Sequence, residues 1–358
     1  MTLFSLGISV HELFLTFLVI FLLVLLLIAA VVFYSFYQYK ELTNIHEWSD
    51  LIDEKVSDSI VYGEDLKNKD RGLNDLLRFS SFRNLFLQKL VDSEKKFSGG
   101  AQLEIRKIFD DYDLKKDAFR RLHQKKPYLI AGGIQELTTM QVTEALSEIE
   151  AFLIHPSPQV YQEAQYAMVT FKGFEGLHFL DSHPYKISEW QQLRLLRSLS
   201  SITSDAEAMM KDWLESPNDS IVIFTLRLLK KFQVLALYDQ VHTLLNHSSE
   251  NVRIQVVHTM LALENTFTVD HLIAAFPSQP EEVQLEILHA LHKAKDARSS
   301  VFFKEQLHSH SATTIKLAAA ESLYTLGEEK YLMDQLENPD SEQDIKLIIK
   351  HALQLKIC

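Results

Sequence analysis

From residue 126 onward the chain repeats itself about every 31 residues. An irregular helical bundle has no reason to keep such a period, whereas a solenoid requires one. Each unit opens on a polar or proline-containing turn. An apolar anchor follows, with further apolar residues about four, eight and eleven positions later. NVRIQVVHTMLAL and EVQLEILHALHKA are two copies. The anchors read as Val160, Trp190, Ile221, Val252, Val283, Ile315 and Ile345, at spacings of 30, 31, 31, 31, 32 and 30. A weaker copy puts an eighth anchor at Tyr128, 32 residues earlier. Between anchor helices lies a second apolar segment of helical spacing, such as LALYDQVHTLLNH or VDHLIAAF. One unit is therefore helix, turn, helix, turn. Neither helix buries its apolar face alone, so stacked neighbours must supply the core. Trp190 and Trp213 read as core residues. Helix stop and start residues mark the turns, among them Pro156, Pro158, Pro217, Asn218, Pro277, Pro280 and Pro339.

A polar turn, then Val, a basic or polar residue, a small or apolar residue at plus four and Leu at plus eight resembles the HEAT repeat. The similarity is greatest to the short, roughly 30-residue HEAT-like class of bacterial proteins. It covers about residues 126–358 and implies an all-α superhelix, but it says little of function. The family's Val-Arg dipeptide stands only at Val252-Arg253.

The first part of the chain is a different material. Residues 13–39 carry no charge and are mostly Leu, Ile, Val and Phe. About 20 such residues cross a bilayer as a helix. Phe33, Tyr34, Phe36, Tyr37 and Tyr39 crowd the exit, where rings favour headgroups. A cleaved signal peptide would want a basic start and a shorter apolar stretch, and the first twelve residues hold no Lys or Arg. The expectation is a tail over 1–12 and a transmembrane helix over 13–39. Lys40 and Lys55 follow the span, which favours a cytoplasmic C-terminal part in a single-pass protein of the inner membrane.

Residues 40–125 read as a helical, membrane-proximal stalk and cap, with a polar loop over 61–72, an amphipathic segment over 73–97 and two short helices over 101–122. Trp48 belongs to the membrane interface or to the stalk core. This region is charge-neutral, with 17 acidic and 17 basic residues. Residues 126–358 hold 30 acidic and 19 basic ones, nearly all of the net charge of -12. An acidic array disfavours nucleic acid and anionic lipid as partners. The local basic group Lys115, Lys116, Arg120, Arg121, Lys125 and Lys126 is either a solvated helix face or a contact for headgroups or an acidic partner.

No phosphate-binding loop and no nucleophile elbow occur. The single cysteine, Cys358, excludes an intrachain disulfide. There are 15 histidines. His289 and His292 share one helix, and His308 and His310 flank Ser309, but no H-E-x-x-H stands in the chain. The HEAT-like hydroxylases present His-Glu pairs on their repeats. Here that dipeptide occurs only at His11-Glu12 and His46-Glu47, outside them. Neither a metal, nor a cofactor, nor a small-molecule substrate is indicated, and no catalytic residue is assigned. One pattern follows the period. Six residues past the anchor stand Tyr166, Leu196, Arg227, His258, His289, Glu321 and His351. They form a stripe on the less buried side of the anchor helices, either a solvated face or a partner-binding ridge, for which Tyr166, Arg227, His258, His289, Glu321 and His351 are the candidates.

These observations lead to the expectation of a membrane-anchored, non-enzymatic scaffold for a protein partner. The alternatives are a HEAT-like enzyme of the metal hydroxylase or lyase type, and an envelope-binding module on the outer side of the membrane.

Overall fold

The computed structural model describes the backbone of residues 10–63 and 71–354. The side chains of 10–12, 36–44, 71 and 354 are outside the description. The tail over 1–9, residues 64–70 of the polar loop, the side chains of Phe36, Tyr37, Tyr39 and Lys40, and Cys358 thus lie outside the described residues. Helix is the only regular structure among the described residues. The chain divides into two compact units, residues 1–163 and 164–358.

In the first unit, α1 (Val10–Tyr62) is one unbroken helix of 53 residues, about 80 Å long. Its first described part, Leu13–Ser35, is 23 residues long, strongly apolar and nowhere buried. At about 1.5 Å per residue it reaches about 35 Å, enough for the roughly 30 Å of bilayer hydrocarbon. The hydroxyl of Thr16 donates back to the carbonyl of Leu13 at 2.9 Å and so leaves no unpaired donor there. The far end of α1 turns amphipathic. Ile52 and Val56 are buried as α1 packs on α3 (Ser80–Glu94) and α4 (Gly100–Asp111), with α2 (Arg71–Leu76) preceding them. The Trp48 ring stands edge-on to Phe82, 5.6 Å between centroids, and so belongs to the stalk core. The apolar helix therefore continues without a break into the folded part.

Helix α5 (Lys115–Leu122) lies against α6 (Pro127–Thr139). A side chain at Gly133 would place its Cβ 2.5 Å from the Leu122 amide nitrogen and 3.0 Å from the Ala118 carbonyl. Only glycine permits this approach. The unit ends with α7 (Leu146–Ala151) and the first turns of α8 (Pro158–Lys172).

The second unit is a stack of helix pairs. After α8 come α9 (Glu189–Ser198), α10 (Ala206–Leu214), α11 (Asp219–Phe232), α12 (Tyr238–Thr243), α13 (Glu250–Ala262) and α14 (Thr268–Ala275). They are followed by α15 (Glu281–Ala294), α16 (Ser299–Ser309), α17 (Thr313–Thr325), α18 (Glu329–Glu337) and α19 (Gln343–Gln354). The anchor helices pack in chain order, α9 on α11, then α13, α15, α17 and α19. One continuous core runs through the stack. The anchors Ile221, Val252, Val283, Ile315 and Ile345 are buried in it, each worth about 1.5–3 kcal/mol relative to exposure.

Two anchors are corrected. Trp190 is 74% exposed and Tyr128 59% exposed. In α9 the buried series is Gln191 and Leu195, and in α6 it is Ile130, Ile134 and Leu137. Gln191 and Ile130 therefore hold the anchor positions, and the neighbouring rings point to solvent. The apolar residue misleads because the position is defined by packing. In α9 that packing is polar. Trp213 is a core residue, 2% exposed, and its indole donates to Asp181 Oδ1 at 2.6 Å.

The turns recruit histidine. His155, His247 and His310 each stand five residues before an anchor, and each ring Nδ1 accepts the backbone N–H two residues on, at 3.0, 3.1 and 3.0 Å. Ser216, in the same column, accepts the same bond at 3.2 Å. Such local bonds hold the chain out of helix and set the next start.

Candidate functional site

The candidate stripe residues differ in exposure. Tyr166, Arg227, His258 and Glu321 are half-buried, and His289 and His351 are exposed. With the anchor of α9 moved to Gln191, its member of the row is Arg197 in place of Leu196. Stripe residues do not pair with one another. Three of them, Tyr166, Arg227 and His258, reach the residue three past the anchor on the next helix. The guanidinium of Arg194 lies 3.8 Å over the Tyr166 ring, a cation–π contact. Arg227 Nε donates to Gln255 Oε1 at 3.2 Å. His258 Nε2 meets Glu286 Oε2 at 2.9 Å. Parallel helices offset by part of a turn bring plus six beside plus three. The ladder is broken where that residue is Phe224, Ala318 or Ile348, whose side chains offer no polar atom.

The richest stretch spans α11 to α15. Arg227 also donates to Gln192 Oε1 at 2.9 Å and lies 3.5 Å from Glu189. Glu286 is shared, since its second oxygen lies 3.5 Å from His289 Nδ1. Burial opposes ionisation of Glu286, but the His258 hydrogen bond and the charges of His258 and His289 outweigh it. Its carboxyl is held below the usual range. Beside these groups opens a cleft of about 780 Å³, lined by Lys230, His258, Glu286, His289, Lys293 and Arg298 among others. Arg298 closes one end by bonding both Asp296, at 2.7 Å, and Asp270, at 2.6 Å. Among the described residues no group of three or more His, Cys, Asp or Glu is arranged to hold a metal ion.

Two polar clusters escaped the sequence reading. Gln191 donates to Gln165 Oε1 at 3.2 Å, and Gln165 Nε2 lies 3.3 Å from His183 Nε2. With its oxygen engaged, Gln165 donates and the His183 ring accepts in neutral form. Burial pushes the His183 pKa down. On the second helices, His242 stacks on His271, 4.1 Å between ring centroids. Burial first, and then the neighbouring His271, lower the pKa of His242. The one signal in the sequence for the first cluster was the Gln191-Gln192 pair where an apolar anchor was due.

The basic group of α5 is largely consumed within the first unit. Lys115 bonds Glu144 at 2.5 Å, Lys116 pairs with Asp113, Arg120 bonds Asp117 at 2.5 Å, and Arg121 pairs with Glu136. Burial raises Glu136 to about 7 against the opposing pull of Arg121. Its second oxygen, Oε2, is buried without a partner.

No protein-family profile matches the chain, and no curated protein does. Among solved structures it is similar to an engineered protein at 14% identity, over 77% of this chain and 86% of that one, with a TM-score of 0.34. It is similar to the complex of CpcE and CpcF of phycocyanin lyase from Nostoc sp. PCC7120 at 12% identity, over 66% and 94%, with a TM-score of 0.32. Human deoxyhypusine hydroxylase in complex with glycerol is 12% identical over 77% and 97%, with a TM-score of 0.29. Likenesses this distant decide nothing about activity. The solenoid assignment rests on the ordered packing of the anchor helices.

Proposed function

We propose that this chain is a single-pass membrane protein that holds a HEAT-like array on the cytoplasmic side of the inner membrane. There it acts as a non-enzymatic scaffold for a protein partner. The observation that carries the reading is Leu13–Ser35, a 23-residue apolar helix with none of its surface buried in the protein. A water-soluble chain does not keep an apolar surface of that extent exposed. The helix runs on without interruption into the packed stalk, so the anchor positions the first unit mechanically. The acidic array is repelled by anionic lipid and faces away from the bilayer. Solenoids bind partners through extended surfaces, and the polar residues of α11, α13 and α15 line one such surface.

Alkaline carbonate extraction of membranes, with fluorescent-protein and alkaline-phosphatase fusions at the C-terminus, tests the anchor. The expected result is a pelleted, fluorescent, phosphatase-silent protein. Release into the supernatant, or an active phosphatase fusion, would refute the placement. The scaffold role predicts that the full chain, purified in mild detergent, retains a protein at about one copy per chain. A chain that retains none above a tag-only control contradicts it.

A further inference from the structure

We propose that the turn from Ser182 to Ser188 is a pH-sensitive clasp on the second unit, closed while the buried His183 ring is neutral and released when acid protonates it. The clasp needs neither membrane nor partner, so it stands apart from the scaffold reading.

The turn is unusually long. Later anchor helices of the second unit are entered through 215–218, 247–249, 279–280, 310–312 and 338–342, all shorter than 182–188. The extra chain is tied to the repeat that follows. Asn218 caps α11, and its Nδ2 also donates to the carbonyls of Tyr185, at 3.0 Å, and His183, at 3.4 Å. The Ile187 N–H donates to Ser220 Oγ at 2.9 Å, and the Gln192 amide donates to the Ile187 carbonyl at 3.2 Å. Ile187 is the turn's one buried apolar side chain. A segment with so few apolar contacts opens locally unless polar bonds hold it shut.

From inside, the clasp is held by a line of amides that has a direction. Gln191 donates to Gln165, Gln165 donates to His183 Nε2, and the line ends there, because a neutral imidazole accepts at one nitrogen only. The ring stands edge-on to Phe179 and Tyr185, 6.0 and 5.7 Å between centroids. Gln165 and Gln191 are 1% and 2% exposed, so water does not replace a lost bond there. A proton on Nε2 sets two donors face to face across 3.3 Å. Turning the Gln165 amide over moves the conflict to Gln191, whose NH2 then meets another donor. A buried donor left without an acceptor is costly. Relief comes when the ring swings out and draws the turn off Asn218. Solvent is at hand, because His183 also lines a cleft of about 630 Å³ between the turn and the start of α11.

Asp181, Lys186 and Asp219 line the same cleft, Tyr185 packs on the ring, and Glu189 opens α9. None of these groups sets the direction of the His183 pKa; burial alone pushes it down. Closure is therefore full above 6.5, the value of a free histidine, and weakens as the pH falls below it. Release also reaches the polar surface of the array. Gln192 grips Ile187 with its NH2 and takes Arg227 on its oxygen at 2.9 Å, so an open turn frees one end of that contact.

Hydrogen exchange of the full chain in detergent micelles, corrected for the intrinsic effect of pH on exchange, tests the clasp. From about pH 7.5 to about pH 5 the amides of 182–192 should speed at least about fivefold relative to those of α15–α19. Two substitutions separate the mechanism from simple loosening. His183→Gln keeps an acceptor that does not titrate. Gln165→Glu, the same in shape, offers a protonated ring an acceptor. Each should cut the response to less than about twofold. A smaller response in the native chain, a larger one in either variant, or equal acceleration over α15–α19 overturns the proposal. If His183→Gln leaves the segment open at both pH values, Gln165→Glu decides, and a full response there refutes the clasp.

Discussion

Gly132 and Gly133 are adjacent on α6, and alanine at the two should act with opposite signs. Both lie inside a helix, where alanine is favoured over glycine by about 0.8–1 kcal/mol. At Gly132 a Cβ meets nothing within 4 Å, so Gly132→Ala should stabilise α6 by about that amount. At Gly133 the Cβ would lie 2.5 Å from the Leu122 nitrogen and 3.0 Å from both the Leu122 Cα and the Ala118 carbonyl. Backbone cannot rotate aside as a side-chain tip can. Relief needs α5 and α6 to part by about 1 Å, which disturbs the buried contacts of Ile130, Ile134 and Leu137. Overpacking of this kind costs about 1–3 kcal/mol, so after the propensity gain a net loss of up to about 2 kcal/mol remains. Hydrogen exchange of α5 and α6 amides in the full chain reads this locally, where about 1.4 kcal/mol is a tenfold rate. Gly133→Ala should speed exchange by up to about thirtyfold, and Gly132→Ala should slow it about fivefold. If both alanines slow exchange alike, the close crossing of α5 and α6 is wrong.

Two further predictions concern groups whose surroundings only the fold reveals. The raised pKa of Glu136, about 7 in the folded chain against 4.5 for a free glutamate, contributes stability that is full below about 4.5 and is lost as the pH climbs through about 7. The first unit should therefore lose up to about 3 kcal/mol from pH 5 to 8; Glu136→Gln should flatten that slope in hydrogen exchange, and a stability that rises over this range in the native chain would contradict the assignment. The exposed Trp190 and the buried Trp213 should differ in a denaturation series. Trp190→Ala should change stability by less than about 0.5 kcal/mol and Trp213→Ala should cost about 3–5 kcal/mol, and comparable losses would return Trp190 to the core.

The repeat was legible because packing periodicity leaves an apolar imprint. Ile221, Val252, Val283, Ile315 and Ile345 are all buried at the positions their spacing assigned. Trp190 shows where that imprint fails. A large apolar residue beside a glutamine looks like the anchor, yet Gln191 is buried because Gln165, 26 residues earlier, accepts from its amide and in turn reaches His183. No local pattern encodes a partner at that distance. The stripe was legible as a row, but its bonds were not. The row repeats at plus six while the partners repeat at plus three, and the offset between neighbouring helices that joins them is a tertiary quantity.

The sequence by itself determined that this is an all-helical chain with one apolar helix of bilayer length and a stack of helix pairs near 31 residues each. Hydrophobic periodicity suffices for those conclusions, since burial demand is written residue by residue. Tertiary structure alone decided that α1 continues without a break into the stalk, that three histidines close turns, and that the basic residues of α5 are spent on Glu144, Asp113, Asp117 and Glu136. Polar groups are directional and short-ranged. What each one does depends on which partner the packing of distant apolar residues brings within about 3 Å.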